Sequence, residues 1–176
     1  VYAYWDRIDQ MGHEFGFGDQ YCEELAACDK MITELINRLN PGVALLVTAD
    51  HGQVEVGDRM LDLPPEVTKL IDGQSGEARF RWLHARLGSS QELYAAATEA
   101  FADVAWVVTA EQTVRQGWFG PQVTEAARSR LGDIALVARD PVGFRDAAEV
   151  MPIELIGRHG SLTAEEMLVP AISVVT

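Results

Sequence analysis

Basic residues are scarce in this sequence, and their scarcity argues against one broad class of function. The 176 residues include 14 lysines and arginines against 27 aspartates and glutamates, which gives a formal net charge of −13. Because the phosphate backbone of nucleic acids selects basic surfaces, we do not expect this chain to coat DNA or RNA. An anionic phosphoester substrate is still compatible with the charge if bound cations reverse the local field.

Long apolar runs are also absent. No run approaches the roughly 20 residues that a membrane-spanning helix requires, so we predict no membrane segment in this chain. No apolar leader headed by Arg or Lys is visible either. The chain begins at Val1, directly inside the apolar and aromatic segment Val1–Trp5, whereas natural N-termini are more often polar. We therefore interpret the chain as a fragment whose targeting signal would lie upstream, which leaves the compartment open with the cytoplasm slightly favoured.

Cysteine is rare, with only Cys22 and Cys28 in a stretch that predicts a helix. At a spacing of six residues the two side chains point to different helix faces, which is poor geometry for a disulfide. We expect two buried or half-buried free thiols, since free cysteine is usually a small core residue.

What the sequence does contain is the alternation of an α/β domain. Val1–Trp5 is rich in β-branched and aromatic residues and predicts a strand. Apolar positions at helical spacing predict a helix over about 19–39, which Pro41-Gly42 ends. The apolar run Val43–Val47 predicts a central strand buried on both faces. Strand, helix and strand in this order are typical of a βαβ unit, so we predict a parallel sheet.

The middle of the chain, approximately residues 57–149, has a different character and predicts an α+β insertion. The expected strands are Ala78–His84, Asp103–Thr109 and Ile134–Arg139, and the expected helices are Gln91–Phe101, Glu111–Gln116 and Pro121–Leu131. After it, the apolar and β-branched segment Met167–Val175 is a further candidate core strand.

Three of the four histidines lie next to glycine, and we predict them on loops that end strands. His13 has Asp9 four residues before it, His51 directly follows Asp50, and His159 stands between a glycine-arginine pair and a glycine. Loops at the carboxyl ends of parallel strands are where α/β proteins build their sites. Imidazole together with carboxylate is the ligand set for zinc and similar ions, and mixed N/O sites with an open position are typically catalytic.

Each motif alone also has a purely structural interpretation. Asp-x-x-Gly-His is a common capped helix start, Asp-His-Gly can be a turn, and Gly-Arg-His-Gly is a weak signal. Three such clusters in one short chain favour a metal site. His84 lies inside a predicted strand and is assigned a structural or surface role. Thr163 and Glu166 are spaced as the capping box of a short helix, so we interpret them as structural too.

Taken together, the motifs resemble the nucleotide pyrophosphatase/phosphodiesterase family of the alkaline phosphatase superfamily. In chain order they are Asp9-x-x-Gly-His13 followed by Gly16, Val47-Thr-Ala-Asp50-His51-Gly52, and Gly157-x-His159-Gly160-Ser-Leu-Thr-x-Glu165-Glu166-Met-x-Val169-Pro170. The match covers both ends of the chain and extends only loosely into the middle. The resemblance implies an alkaline-phosphatase-like three-layer α/β sandwich, of which residues 1–176 would be the C-terminal part.

The resemblance also implies two divalent metal ions, usually zinc, roughly 4 Å apart. One would be held by Asp9, His13 and His159, and the other by Asp50 and His51. The second ion also needs an upstream aspartate and a nucleophilic threonine or serine. The family places both in the first half of its domain, so we expect that half as a partner and assign no catalytic nucleophile in this chain.

The implied activity of the intact protein is metal-dependent hydrolysis of a phosphodiester or phosphoanhydride, with a nucleotide or another small phosphoester as substrate. A covalent phospho-enzyme would form on the upstream nucleophile and then be hydrolysed. A phosphomonoesterase or phosphonate hydrolase on the same scaffold is the alternative within enzymes, because the superfamily reuses one metal site for several leaving groups. A catalytically inactive metal-binding domain is the alternative for the fragment itself.

Overall fold

The computed structural model of the chain describes residues 1–149 and 153–176 and has a mixed α/β fold. The helices are α1 Arg7–Phe15, α2 Asp19–Ile36, α3 Pro65–Thr68, α4 Ser90–Phe101, α5 Ala110–Arg115, α6 Glu125–Arg128 and α7 Ala164–Met167. The strands are β1 Ala44–Thr48, β2 Val54–Glu55, β3 Met60–Leu61, β4 Ile71–Glu77, β5 Phe80–Ala85, β6 Ala105–Thr109, β7 Ile134–Ala138, β8 Gly143–Phe144, β9 Gly157–Arg158 and β10 Ala171–Val175.

The chain divides into two compact units. The first comprises Val1–Asp58, Met151–His159 and Ala164–Thr176, and the second comprises Arg59–Val150 and Gly160–Thr163. The second unit covers nearly the same residues as the predicted insertion at 57–149; that it is an insertion within one larger domain stays a prediction. None of the helices in the described part of the chain is both long and apolar enough to cross a bilayer.

In the first unit, two short antiparallel strand pairs and two helices position the three motifs. β1 pairs with β10, so that Ala44 lies opposite Val175, and β2 pairs with β9, so that Val54 lies opposite Arg158. Helix α1 packs against α2 and against β9. The pairing of β2 with β9 therefore carries the residues that follow β9 back to the face of α1.

The second unit contains the larger apolar core. Its antiparallel sheet has the order β4-β5-β7-β6, and β7 has a neighbouring strand on each side. All five residues of β7 are buried, because apolar side chains pack against both of its faces. Helix α4 covers the sheet through Leu93, Ala97 and Phe101, which recur at a spacing of four residues and so share one helix face. Beside this sheet, β3 runs parallel to β8.

Two fully buried arginines attach the segment after β7 to the sheet. Arg79 donates to the backbone carbonyls of Asp140 and Val142, and Arg81 donates to both carboxylate oxygens of Glu149 at 2.6 and 3.1 Å. A buried guanidinium needs such partners, because an unpaired charge in the interior is strongly destabilising.

The predictions for the first unit are only partly correct. Val1–Trp5 belongs to no sheet and its side chains are exposed, since β-propensity alone does not form a strand without a pairing partner. The expected strand at Val43–Val47 forms as β1, but it is not buried on both faces. Its residues alternate between exposed and half-buried, because successive side chains point to opposite faces of the strand. The predicted parallel βαβ unit is wrong for the described residues, because its first strand does not form and β1 pairs antiparallel with β10 instead.

The predictions for the second unit are more accurate. Helices α4 and α5 and strands β5, β6 and β7 each lie within two residues of their expected bounds. The helix expected over Pro121–Leu131 forms only at Glu125–Arg128, where the Thr124 hydroxyl caps it by accepting from the amide of Ala127. Sequence analysis missed β4, whose central residues Asp72-Gly-Gln-Ser-Gly76 have low β-propensity and are held in the sheet by pairing with β5.

Two further predictions concern the end of the chain and the thiols. The strand expected over Met167–Val175 is shorter, because Met167 ends helix α7 and β10 begins only at Ala171. Helix α7 begins directly after Thr163, as its capping-box spacing predicted. Both cysteines are free, but Cys22 is exposed rather than buried, while Cys28 is half-buried.

Candidate metal centre

Helix α1 presents Asp9 and His13 on one face. The two residues are four positions apart, so their side chains lie one above the other along the helix. The first motif was expected on a loop, and that expectation is wrong: the helix continues through His13 and ends at Phe15, before Gly16 with φ +69°. A left-handed φ at this position favours glycine, which explains the glycine that closes the motif.

His159 reaches the same face because it directly follows β9. The backbone carbonyl of Gly157, the first residue of β9, accepts a hydrogen bond from Nδ1 of His13 at 2.7 Å. Glycine is required at 157, because a Cβ there would collide with the carbonyl oxygen of Gly12. The close approach of β9 to α1 therefore depends on this glycine.

The structure brings Asp9, His13 and His159 together although 150 residues separate the first from the last. Each residue offers one ligand atom, these atoms all lie within 4.8 Å of one another, and all three residues are half-buried. Oδ1 of Asp9 is 3.4 Å from Nε2 of His13. Ligands of one tetrahedral zinc, bound at about 2.0–2.2 Å, lie roughly 3.3–3.6 Å apart, so this pair already has the spacing of adjacent ligands.

Backbone carbonyls select the histidine tautomers that ligation needs. His13 donates its Nδ1–H to the carbonyl of Gly157, and His51 donates its Nδ1–H to the carbonyl of Gly52 at 3.0 Å. In both rings this leaves the lone pair on Nε2. Such carbonyl partners are typical of metal-ligating histidines, because they fix the ring plane and raise the basicity of the ligand nitrogen.

The other two predicted ligands, Asp50 and His51, follow β1 and lie outside the three-residue group. Asp50 is exposed, and its Oδ1 is 3.9 Å from Nε2 of His51. The ring of His51 stacks on that of His159, with centroids 3.6 Å apart and an angle of 15° between the planes. Among the described residues, no further histidine, cysteine, aspartate or glutamate completes a second group of three.

The field around the site is negative. Repulsion from the Asp50 carboxylate, and less strongly from Asp9 and Asp6, raises the pKa of the exposed Tyr4 phenol. Burial and then Asp9 raise the pKa of Tyr21 in the same direction. Both shifts have the sign expected near carboxylates, and a cluster of carboxylates favours divalent cations.

Close backbone contacts position the Asp50-His51 segment. The amide of Gly52 donates to the carbonyl of Glu166 in α7 at 2.8 Å, and a Cβ at Gly52 would overlap the carbonyl oxygen of Glu165. The glycine of the Asp-His-Gly motif is therefore needed for contact with α7, which is how the second and third motifs meet in space.

Sequence analysis missed Gln53, the residue after this glycine. Its side-chain Nε2 donates to Oδ1 of Asp9 at 2.5 Å and to the backbone carbonyl of Asp9 at 3.2 Å. A lone glutamine carries no chemical signature, and only its position two residues after His51 could have directed attention to it. His84, by contrast, has the structural role assigned to it, since it lies on β5 and shares a hydrogen bond of 2.8 Å with Ser75 of β4.

Comparison with known proteins gives one family and several structural relatives. The model of the family described as type I phosphodiesterase / nucleotide pyrophosphatase matches residues 1–162. A search of curated proteins found no match.

Solved structures share the fold over almost the whole chain. Murine ectonucleotide pyrophosphatase/phosphodiesterase 5 superposes with a TM-score of 0.72 at 20% identity, over 97% of this chain and 45% of the murine protein. The human protein of the same name gives 0.70 at 21% identity, with the same coverage. Phosphonoacetate hydrolase from Sinorhizobium meliloti 1021 gives 0.68 at 19% identity, over 96% of this chain and 43% of the hydrolase. The fold is thus alkaline-phosphatase-like α/β, and the chain spans less than half the length of these relatives.

Proposed function

The chain belongs to the type I phosphodiesterase/nucleotide pyrophosphatase family, and on that basis we propose that it carries part of the metal centre of a hydrolase for phosphodiester or phosphoanhydride bonds. Members of this family are metal-dependent phosphoesterases. The observation that supports the proposal most strongly is the convergence of Asp9, His13 and His159, whose ligand atoms lie within 4.8 Å of one another.

The chemistry of this donor set fits a divalent cation. One carboxylate and two imidazoles offer one oxygen and two nitrogens, the mixture that zinc prefers. Three protein ligands leave one tetrahedral position open, and an open position is what separates catalytic from structural zinc sites. We therefore propose that Asp9, His13 and His159 hold one zinc ion.

A second ion is assigned to Asp50 and His51. Two protein ligands are too few for a zinc site, so this position needs at least one more carboxylate and the oxygen of the nucleophile. We propose that an aspartate and a threonine or serine from a preceding segment of the intact protein complete it. The proposal is consistent with a chain that spans only 45% of the murine relative.

When bound, the ions would neutralise charge on the phosphoryl group and lower the pKa of the nucleophile. The residues of this chain would bind and orient these ions. The carboxylate of Asp9 supplies a negative charge that compensates the positive charge of the bound ion. The carbonyls of Gly157 and Gly52 hold His13 and His51 in the tautomer with a free Nε2. His159 contacts both rings, with centroids 5.3 Å from His13 and 3.6 Å from His51.

The substrate proposed is a nucleotide or a nucleotide-like diester. An inactive variant of the murine relative has been solved in complex with AMP, which supports this class. The phosphonoacetate hydrolase has been solved with phosphonoformate and with phosphonoacetate, so phosphonate hydrolysis is the second candidate. Phosphomonoester hydrolysis and an inactive metal-binding role stay as further alternatives.

Three substrates distinguish these activities when the full-length protein that contains this chain is purified with zinc. The p-nitrophenyl ester of thymidine 5′-monophosphate tests diesterase activity, p-nitrophenyl phosphate tests monoesterase activity, and phosphonoacetate tests phosphonate hydrolysis. We expect the diester to react fastest, a chelator to abolish turnover, and zinc to restore it.

His159→Ala should remove this activity, because it deletes a ligand of the complete three-residue group. His84→Ala, which changes the same residue type in β5, should leave it unchanged and is the matched control. Turnover that is indifferent to both chelation and His159→Ala would contradict the proposal, and a preference for phosphonoacetate or the monoester would select the corresponding alternative.

A further inference from the structure

Gln53 holds one specific oxygen of the metal-binding group. Its amide nitrogen lies 2.5 Å from Oδ1 of Asp9, the same oxygen that lies 3.4 Å from Nε2 of His13. A second hydrogen bond of 3.2 Å to the backbone carbonyl of Asp9 fixes the amide relative to helix α1. The position of this carboxylate oxygen is thus set by a side chain that is not itself a metal ligand.

The orientation of the Gln53 amide follows from the partner. An ionised carboxylate only accepts hydrogen bonds, so the amide nitrogen must face Asp9 and the amide oxygen must point away. That oxygen, Oε1, is buried and has no hydrogen-bond partner among the described residues. A buried acceptor without a donor is destabilising. The hydrogen bond from the amide nitrogen of Gln53 to Asp9 explains why this residue is present despite the unpaired oxygen.

Two glycines make room for this arrangement. A Cβ at Gly12 would overlap Oε1 of Gln53, and a Cβ at Gly157 would lie 3.3 Å from the same atom. Gly12 is buried in the middle of α1, where alanine would otherwise be the better helix former. Position 12 is therefore glycine because the Gln53 side chain occupies the space that a Cβ would need.

From these contacts we propose that Gln53 is a positioning residue that holds the Asp9 carboxylate ready for ligation and thereby sets the affinity of the Asp9–His13–His159 group for zinc. This inference rests on the proposed function. Gln53 also joins the two halves of the site, because it lies two residues after His51 and contacts α1 through Asp9. Partners behind metal ligands typically change metal affinity by about 10–100-fold when they are replaced.

The test is a zinc titration of the chain by calorimetry, with the metal alone as the probe. Gln53→Met keeps the approximate volume of the side chain but removes the donor, so we expect zinc to bind about tenfold more weakly or worse. Gln91→Met, on the exposed face of α4, is the matched control and should bind as the unmodified chain does.

A second pair of variants separates positioning from packing. Gly12→Ala touches no ligand, yet it should weaken zinc binding because its Cβ displaces the amide of Gln53. In a Gln53→Ala background that collision is gone, so Gly12→Ala should cause little additional loss. If the effect of Gly12→Ala on zinc affinity depends on residue 53 in this way, residues 12 and 53 are directly coupled.

Two outcomes would overturn the inference in distinguishable ways. If the unmodified chain binds zinc and both Gln53→Met and Gly12→Ala bind it equally tightly, with unchanged circular dichroism, Gln53 only fills space and the metal centre stands. If the unmodified chain binds no zinc, the proposed metal centre fails together with the role of Gln53. If Gln53→Met does not fold, a second comparison decides whether Gln53 positions Asp9. It compares the loss of zinc affinity caused by Gly12→Ala when residue 53 is glutamine with the loss when residue 53 is alanine.

Discussion

The rings of His51 and His159 stack almost in parallel, with centroids 3.6 Å apart and planes inclined by 15°. His159 belongs to the group of three residues that could hold a metal ion, whereas His51 does not. The stack therefore restrains the plane of the His159 ring, whose centroid also lies 5.3 Å from that of His13. Two motifs more than 100 residues apart in sequence are joined by this contact.

This stack predicts an indirect effect of residue 51 on the three-residue zinc site. His51→Ala removes the ring that restrains His159, so we expect the tightest zinc event to weaken by roughly tenfold, as for other partners of metal ligands. His51→Phe keeps a ring of similar size in place and should retain most of the affinity. Competition with a chromophoric chelator measures both. Equal weakening by the two substitutions would show that stacking is not the cause.

The buried pair of Arg81 and Glu149 predicts a large loss of stability in the second unit. The guanidinium of Arg81 is fully buried, whereas the side chain of Glu149 is 43% exposed. Arg81→Met leaves the backbone carbonyls of Gly76 and Phe144 without their donor, and we expect a loss of about 3–5 kcal/mol. Glu149→Gln should cost less, about 1–2 kcal/mol, because the amide oxygen can still accept from the guanidinium and Asp146 stays 3.9 Å from it.

Urea unfolding followed by tryptophan fluorescence measures these losses, since Trp82, Trp106 and Trp118 all lie in the second unit. Arg128→Met, at an exposed position of α6, is the control and should be close to neutral. A loss for Arg81→Met no larger than the loss for this control would contradict the role assigned to the buried arginine.

The two thiols should differ in reactivity. Burial, and then the carboxylates of Glu24 and Asp29, raise the pKa of Cys28, which lowers its thiolate fraction at any given pH. Cys22 is exposed. With Cys22→Ser and Cys28→Ser as single-thiol variants, we expect Ellman's reagent at pH 8 to modify Cys22 several-fold faster. Equal rates, or faster modification of Cys28, would be inconsistent with the burial and charges described.

The 176-residue chain by itself should be a poor catalyst. Nucleophilic catalysis requires an activated hydroxyl beside the metals, and we predict that no threonine or serine of this chain is that nucleophile. We expect hydrolysis of an activated phosphodiester at the rate of zinc alone. Robust turnover that His51→Ala abolishes would place the nucleophile within this chain after all.

The motifs could be found from the sequence because each combines a histidine with glycine. In two of them, the glycine lies where the fold leaves no room for a side chain. Gly52 and Gly157 lie against the backbone carbonyls of Glu165 and Gly12, and such contacts leave a recognisable Gly-His pattern. The elements of the second unit were predictable for a different reason. Its strands and its helix α4 bury continuous or periodic apolar residues within one compact core.

The first unit was harder to predict because its apolar segments do not make the contacts that their composition suggests. Among the described residues, Val1–Trp5 has the residues of a strand but no strand beside it, and β1 is apolar but none of its residues is buried. Helix α1 was missed because Gly12 interrupts its pattern, and that glycine serves Gln53 rather than a turn. The pairing of β1 with β10 and the contact of Gly12 with Gln53 both join residues far apart in sequence. Local pattern analysis therefore could not reveal them.

Zinc titration of the purified chain tests the central claim most directly. Because the site proposed at Asp9, His13 and His159 has three ligands while the one proposed at Asp50 and His51 has only two, we expect one tight event and one much weaker or absent. His159→Ala should erase the tight event, and Asp50→Ala should leave it nearly intact. Two equivalent tight events, or a tight event that survives His159→Ala but is lost in Asp50→Ala, would contradict the account.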